Sequence, residues 1–183
     1  MVYKNMEIGG ISMNYDGLSK LGYGVYLVGA PDGKGGGNAL LANLVMQVSS
    51  EPLMACVCIG KENLTHDQIA AAGKFNISVV GEMADMEFLQ LFGFSSGRDT
   101  DKLAQTENRD YNGFPTVVQN CVALLECEVT GQTDCGASTV YFANVLSTRT
   151  LAPGKAMTSA YYHDVMEGKA SQKAPAWAAR YEK

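Results

Sequence analysis

Two segments of the chain concentrate side chains that can hold an anion. The first is Lys61-Glu62-Asn63-Leu64-Thr65-His66, between an apolar strand-like run and a helix-like one. A helix start offers unpaired N–H groups and the positive end of the dipole. Lys61 adds a charge, and Asn63 and Thr65 add neutral donors. The segment reads as a phosphate seat or as an ordinary capped helix. The second is Phe92-Gly93-Phe94-Ser95-Ser96-Gly97-Arg98-Asp99-Thr100-Asp101-Lys102. It sets Arg98 and Lys102 among hydroxyls in a glycine-hinged loop. Such a loop either closes over an anionic ligand or is a solvated turn.

Signatures of covalent and metal catalysis are missing. The chain has 2 histidines, His66 and His163, and neither lies near a G-x-S-x-G elbow. His66, at a helix start, reads as solvated. His163, behind Tyr161 and Tyr162, is open between a structural role and one near a ligand. Gly33-Lys34-Gly35-Gly36-Gly37-Asn38 lacks the Gly-Lys-Ser/Thr ending of a P-loop. Gly22-Tyr23-Gly24 precedes a strand instead of following one, so it fails as a dinucleotide fingerprint. The 5 cysteines form no Cys-x-x-Cys pair and have no histidine at zinc spacing. Cys56 and Cys58 share one face of a strand and read as small core residues in a reduced, cytoplasmic compartment. No metal site and no catalytic side chain is expected. The net charge of −5 and the scattered lysines and arginines argue against nucleic acid as a partner.

The elements that must position these groups are mostly strands. With 46% apolar and 18% charged residues, the chain can build one core. A single domain is expected over 1–183, with a C-terminal extension from about 158. No apolar stretch approaches the ~20 residues of a membrane span, and Met1–Gly10 lacks the apolar core of a secretory signal. Strands are expected at 23–30, 39–49, 53–59, 75–80, 121–130 and 138–147. Helices are expected from Asn63 or Thr65 to Gly73 and from Met86 to Gly93. The stretch 94–116 reads as a polar loop, and 131–136 as a turn. Strands that follow one another without intervening helices point to a mainly β fold, an antiparallel β-barrel with inserted helices.

The joint order of several segments is similar to the flavin reductase-like family of FMN-binding split barrels, with Greek-key antiparallel topology. Those segments are Tyr23–Val28, Asn43 with Gln47-Val48-Ser49-Ser50-Glu51-Pro52, and Lys61–Ile69. They continue through Phe75–Val79, Phe92–Asp99 with Asp101-Lys102, and Gly113-Phe114-Pro115. The tail adds Tyr161-Tyr162-His163 and Lys173-Ala174-Pro175. The chain most resembles the branch that includes flavoredoxin, archaeal ferric reductase and the flavin domain of high-molecular-weight rubredoxin.

The resemblance implies a homodimer with FMN near the subunit interface. It implies electrons entering from NAD(P)H or a redox-protein donor and leaving to free flavin, ferric iron or a redox protein, with a separate rubredoxin or ferredoxin as partner. By the same resemblance, Asn43, Gln47, Val48 and Ser49 line the ribityl chain and ring. Cys58, Gly60, Lys61, Asn63 and Thr65 hold the phosphate side. Ser96, Arg98 and Lys102 close over the site, with Lys102 the better phosphate candidate. Tyr161, Tyr162 or Trp177 cover the open face of the flavin or simply pack. One departure stands out: Ser138 occupies the place where the family often carries a histidine, and Ala143-Asn144 replace its Gly-Glu. This favours, as the alternative, a non-enzymatic FMN electron carrier reduced by a protein partner. A split barrel that has lost its flavin is the third reading, against which Lys61, Asn63, Thr65 and Lys102 argue.

Overall fold

The computed structural model describes residues 18 and 20–169, with the backbone of Met6–Ile8 (β1) and Ile11–Met13 (β2). Trp177 and Lys173-Ala174-Pro175 lie outside the described residues. The body is a seven-stranded sheet. Its strands are β3 (Tyr26–Pro31), β4 (Gly37–Ala42), β5 (Val45–Ser50), β6 (Leu53–Gly60), β7 (Lys74–Val80), β10 (Cys121–Asp134) and β11 (Ser138–Thr150). Their spatial order is β4-β3-β7-β10-β11-β6-β5, and every pairing is antiparallel. The neighbours β3/β7 and β6/β11 are distant in sequence, which is Greek-key connectivity. The mainly β, antiparallel architecture with inserted helices matches the sequence expectation.

The run 39–49 forms two strands instead of one. The chain leaves β4 at one edge of the sheet and enters β5 at the other. Asn43 and Leu44 make that passage, and the Leu44 carbonyl accepts the Cys58 N–H at 3.0 Å. This break between two edges splits the barrel.

Helix α1 (Leu64–Ala72) begins at Asn63 and ends at Gly73, whose φ of 65° places it in the left-handed region. Asn63, and not Thr65, is therefore the cap. Helix α2 (Met86–Phe94) is capped by Asp85, whose Oδ1 accepts the Phe88 N–H at 2.8 Å. It runs through Gly93, where the sequence suggested an end. A Cβ at Gly93 would stand 3.4 Å from Leu41 Cδ2, so glycine there lets α2 lie close on β4.

The stretch 94–116 is more ordered than a loop. It holds a 3-10 turn at Leu103–Gln105 and a hairpin of β8 (Asn108–Tyr111) and β9 (Phe114–Val117). Asn112 and Gly113 turn it with φ of 58° and 78°, the paired positive angles that an Asn-Gly hairpin turn requires. Polar pins hold this hairpin on β7. Asn76 Nδ2 donates to the Tyr111 carbonyl at 3.1 Å and to Thr116 Oγ1 at 2.7 Å, and Ser78 Oγ donates to the Val117 carbonyl at 2.8 Å. The turn expected at 131–136 is tighter in the structure. The long strands run to Asp134 and from Ser138, and the Cys135 N–H donates to the Ser138 carbonyl at 2.9 Å.

Two apolar clusters fill the molecule. One packs Val28, Val57, Ile59, Phe75, Ile77 and Tyr141 with Ile69 of α1. The other packs Val25, Leu27, Val80 and Val117 with Phe88 and Phe92 of α2 and with Met157 and Tyr162 of the tail. The tail is stitched to the sheet where it starts: the Met157 N–H donates to the Val80 carbonyl at 2.8 Å, and the Ser159 N–H to the Tyr23 carbonyl at 2.8 Å. Tyr162 is thus a core residue.

Asn76→Ala removes both bonds that Asn76 Nδ2 donates and the one its Oδ1 accepts from Asn112 Nδ2 at 3.2 Å, and leaves the Tyr111 carbonyl without that donor. The expected loss is about 1–3 kcal/mol in equilibrium denaturation, with hydrogen exchange rising first at residues 108–117.

Candidate functional site

A cleft of about 170 Å³ opens where the end of β6, the start of α1 and the end of α2 meet. Its walls include Asn43, Cys58, Gly60, Asn63, Thr65, Ser96 and Lys102. Seven of the twelve sequence-predicted positions therefore come together here.

The chemistry of the cleft centres on Lys102. The residue is 2% exposed. Its Nζ donates to the Ser95 carbonyl at 3.2 Å and stands 5.7 Å from the centre of the Phe92 ring. No carboxylate pairs with it among the described residues. Loss of hydration pushes its pKa down from 10.5 to about 8. At pH 7 the ammonium is still protonated, so the cleft holds a buried positive charge without a counter-ion.

The start of α1 adds neutral donors. Asn63 makes no side-chain cap; its Nδ2 turns back to the Gly60 carbonyl at 3.0 Å. The first-turn amides of Leu64 and Thr65 are therefore uncapped by any side chain. Thr65 is fully buried, and its Oγ1 accepts from Asn38 Nδ2 at 2.7 Å. The Thr65 hydroxyl proton has no acceptor among the described bonds, so it can be given to a ligand oxygen.

Asn38 escaped the sequence reading. It stands at 6% exposure in β4, opposite Ala30, and it is a seat for the cleft loop. A Cβ on Gly97 would collide with Asn38 Oδ1. Only a glycine lets the loop backbone settle on this amide. Nothing local marks Asn38, which simply precedes the apolar run Ala39-Leu40-Leu41-Ala42.

The other five predicted residues lie elsewhere. Lys61 Nζ pairs with Asp134 Oδ2 at 2.7 Å, at the tip of the β10–β11 hairpin. Arg98 Nη2 pairs with Asp67 Oδ2 at 2.8 Å on the outer face of α1. Gln47, Val48 and Ser49 sit on the edge strand β5, away from the cleft. The register slips between Gln47 and Ser49, so Val48 is a bulge.

A second, larger groove of about 1000 Å³ adjoins the first, and Asn43 and Cys58 line both. Its walls include Tyr23, Tyr26, Leu44, Met46, Cys56 and Met157. The pair of clefts suits an elongated ligand with an anionic end and a flat apolar end. Burial raises the Cys58 thiol pKa, so the shared wall is a neutral thiol. Ser138 pairs with Gly60 at the start of β11, beside this wall.

His66 is more engaged than its place in the sequence suggested. Its Nε2 lies 3.0 Å from Thr139 Oγ1 and its Nδ1 lies 3.4 Å from Asp67 Oδ1. His163 Nδ1 lies 2.8 Å from the Gly168 carbonyl. Among the described residues no cluster of three or more His, Cys, Asp or Glu could hold a metal. No helix among them is long and apolar enough to cross a membrane.

Comparison with known proteins identifies the family. A family described as flavin reductase like domain matches residues 18–169. High molecular weight rubredoxin of Moorella thermoacetica is 34% identical over 172 residues, covering 93% of this chain and 75% of that protein. Ferric-chelate reductase (NAD(P)H) of Archaeoglobus fulgidus is 32% identical over 158 residues, covering 86% and 93%. Among solved structures, flavoredoxin from Methanosarcina acetivorans aligns with a TM-score of 0.65 at 22% identity, covering 84% of this chain and 81% of that one. An NADH:FAD oxidoreductase of Streptomyces globisporus aligns with a TM-score of 0.68 at 21% identity, covering 75% and 81%. The two structural likenesses concern the fold alone.

The buried ammonium has a cost that can be measured. The unfolded chain holds the Lys102 proton up to about pH 10.5 and the folded chain up to about 8. Between those values the unfolded state binds more protons, so stability rises with pH. The penalty is fully present below 8 and amounts to roughly 3 kcal/mol. Lys102→Met is therefore expected to stabilise the ligand-free protein at pH 7 in urea denaturation, by ~1–3 kcal/mol. The gain should shrink as pH rises from 8 towards 10.5.

Proposed function

Because this chain belongs to the flavin reductase-like family, we propose that its two joined clefts bind FMN and that it acts as an NAD(P)H-dependent flavin oxidoreductase. The observation that carries the reading is the buried, carboxylate-free ammonium of Lys102 in the same cleft as the uncapped start of α1. The donor set suits a phosphate monoester: one ammonium, two first-turn amides and the Thr65 hydroxyl. An FMN phosphate near two negative charges supplies the counter-ion that Lys102 lacks, and Glu62 stands at the exposed rim of the cleft. The adjoining groove, with its tyrosine, methionine and cysteine walls, accepts the ring system.

Bound flavin supplies the capacity to take and return one or two electrons. The chain's own part is to bind, orient and shield. Lys102 and α1 hold the phosphate, and Asn43 stands where the two clefts join. Cys58 presents an uncharged wall, and no side chain is required as a nucleophile.

The acceptors that suit this reading are free flavin, ferric iron or a redox protein such as a separate rubredoxin. The relatives named above, a ferric-chelate reductase and a high molecular weight rubredoxin, support that range. We read 1–183 as one domain in a cytoplasmic homodimer. Exposed apolar side chains at this end of the sheet support the dimer: Met46 and Val48 of the edge strand β5, Leu53 of β6 and Leu146 of β11. A second copy packed there would cover them.

Ser138 favours a second reading. A serine stands beside the cleft wall where the family often has histidine, so the chain could instead be an FMN electron carrier reduced by a protein donor. One experiment separates the two. The protein is incubated with FMN, desalted, and treated anaerobically with NADH and NADPH. Bleaching of the retained flavin by nicotinamide marks the reductase. Bleaching by dithionite alone marks the carrier. Failure to retain or turn over any flavin overturns both.

Lys102→Ala is expected to weaken FMN binding ~10- to 100-fold, the value of a charge-assisted hydrogen bond, while riboflavin binding changes little. Wild-type affinity for FMN should fall as pH rises through about 8, where the free lysine loses its proton. Titration by fluorescence quenching reads both.

A further inference from the structure

Arg98 looks from sequence like a second phosphate partner, but its guanidinium is spent elsewhere. It pairs with Asp67 Oδ2 at 2.8 Å, and Asp67 lies in the first turn of α1. His66 Nδ1 stands 3.4 Å from the other oxygen of the same carboxylate, and His66 Nε2 stands 3.0 Å from Thr139 Oγ1 of β11. The carboxylate is thus held between the sheet and the loop. The backbone of Arg98 is also fixed, because its N–H donates to Ser96 Oγ at 3.2 Å. The Asp99 and Thr100 amides fold back on the Ser96 carbonyl at 3.1 and 3.0 Å.

We propose that Arg98 is a positioning residue that latches the 95–102 loop onto α1 through Asp67, and not a phosphate ligand. The loop carries Ser96 and Lys102 into the cleft. Its bonds to Ser96 Oγ and the Ser96 carbonyl are internal and move with it. The Arg98–Asp67 pair ties it instead to the helix whose start also lines the cleft. On the cleft side, the Gly97 backbone rests on Asn38. Opening the latch frees the loop to swing and takes the Lys102 ammonium away from the α1 amides.

The pair is half exposed, at 52% and 55%, so the effect is modest, as for other exposed ion pairs. The proposal rests on the reading that FMN phosphate occupies the cleft, and the experiment separates the two. Asp67→Asn, Arg98→Gln and the double variant are compared with wild type by hydrogen exchange of residues 95–102 in flavin-free protein. Each single change should speed exchange roughly 2- to 5-fold, the range of an exposed ion pair. The double should be no faster than the singles, because both remove the same contact. Asp67→Glu should restore slow exchange. In FMN-loaded protein, both singles should speed FMN release by a similar factor.

A phosphate-ligand role gives the opposite pattern. Asp67→Asn would then release Arg98 to the phosphate and tighten FMN, while Arg98→Gln would weaken it. That split, or exchange unchanged in both singles, overturns the latch. If wild type binds no FMN but the exchange pattern holds, the latch stands and the FMN reading fails.

Discussion

Burial of the Lys102 ammonium without a carboxylate is the constraint around which the cleft is organised. Among the described residues, four other cations pair with carboxylates at the surface: Lys61 with Asp134, Arg98 with Asp67, Arg109 with Glu107, and Arg149 with Glu126. Lys102 is instead wrapped by the Ser95 carbonyl and the Phe92 ring. A charge in that position is costly unless a ligand completes it. The start of α1 leaves its first-turn amides and the Thr65 hydroxyl open to such a ligand. Asn63 turns its side chain away from the helix start, Thr65 spends an acceptor lone pair on Asn38, and Gly97 brings the loop backbone down on the same asparagine.

The split in the sheet supplies the space. Seven antiparallel strands would bury this region if β4 and β5 paired, but they are the two edges. The chain crosses between them at Asn43-Leu44, and the two clefts join at Asn43 and Cys58. The gap is polar towards α1 and apolar towards Tyr23, Tyr26 and Met157. That asymmetry matches a molecule with a charged tail and a flat head. Helix α2 and the tail close the outer side through Phe88, Phe92, Met157 and Tyr162, so the core of the fold also braces the cleft.

Most strands of the large sheet, both helices and the mainly β class were legible in sequence because alternation, glycine stops and Asx caps are local signals. The Asn112-Gly113 turn was equally local and was masked by the polar residues around it. Its strand contains Pro115 and packs through Asn76 and Ser78, so it carries little apolar alternation. The break at Asn43 has no local mark, because the chain stays extended on both sides.

For the site, the amino-acid order alone shows which residue types are on hand: an ammonium in a hinged loop, an asparagine and a threonine at a helix start, a family pattern that joins them. Tertiary structure decided which of them face one another. Lys61 and Arg98 carry the same charge as Lys102 and sit in the same motifs, yet their long side chains reach Asp134 and Asp67, carboxylates distant in sequence. Asn38 was invisible as a site residue because its role depends on Thr65, 27 positions away, and on Gly97. Charge and hydrogen-bonding capacity are properties of a residue; whether a charge is paired or left for a ligand depends on what the fold brings within about 3 Å of it.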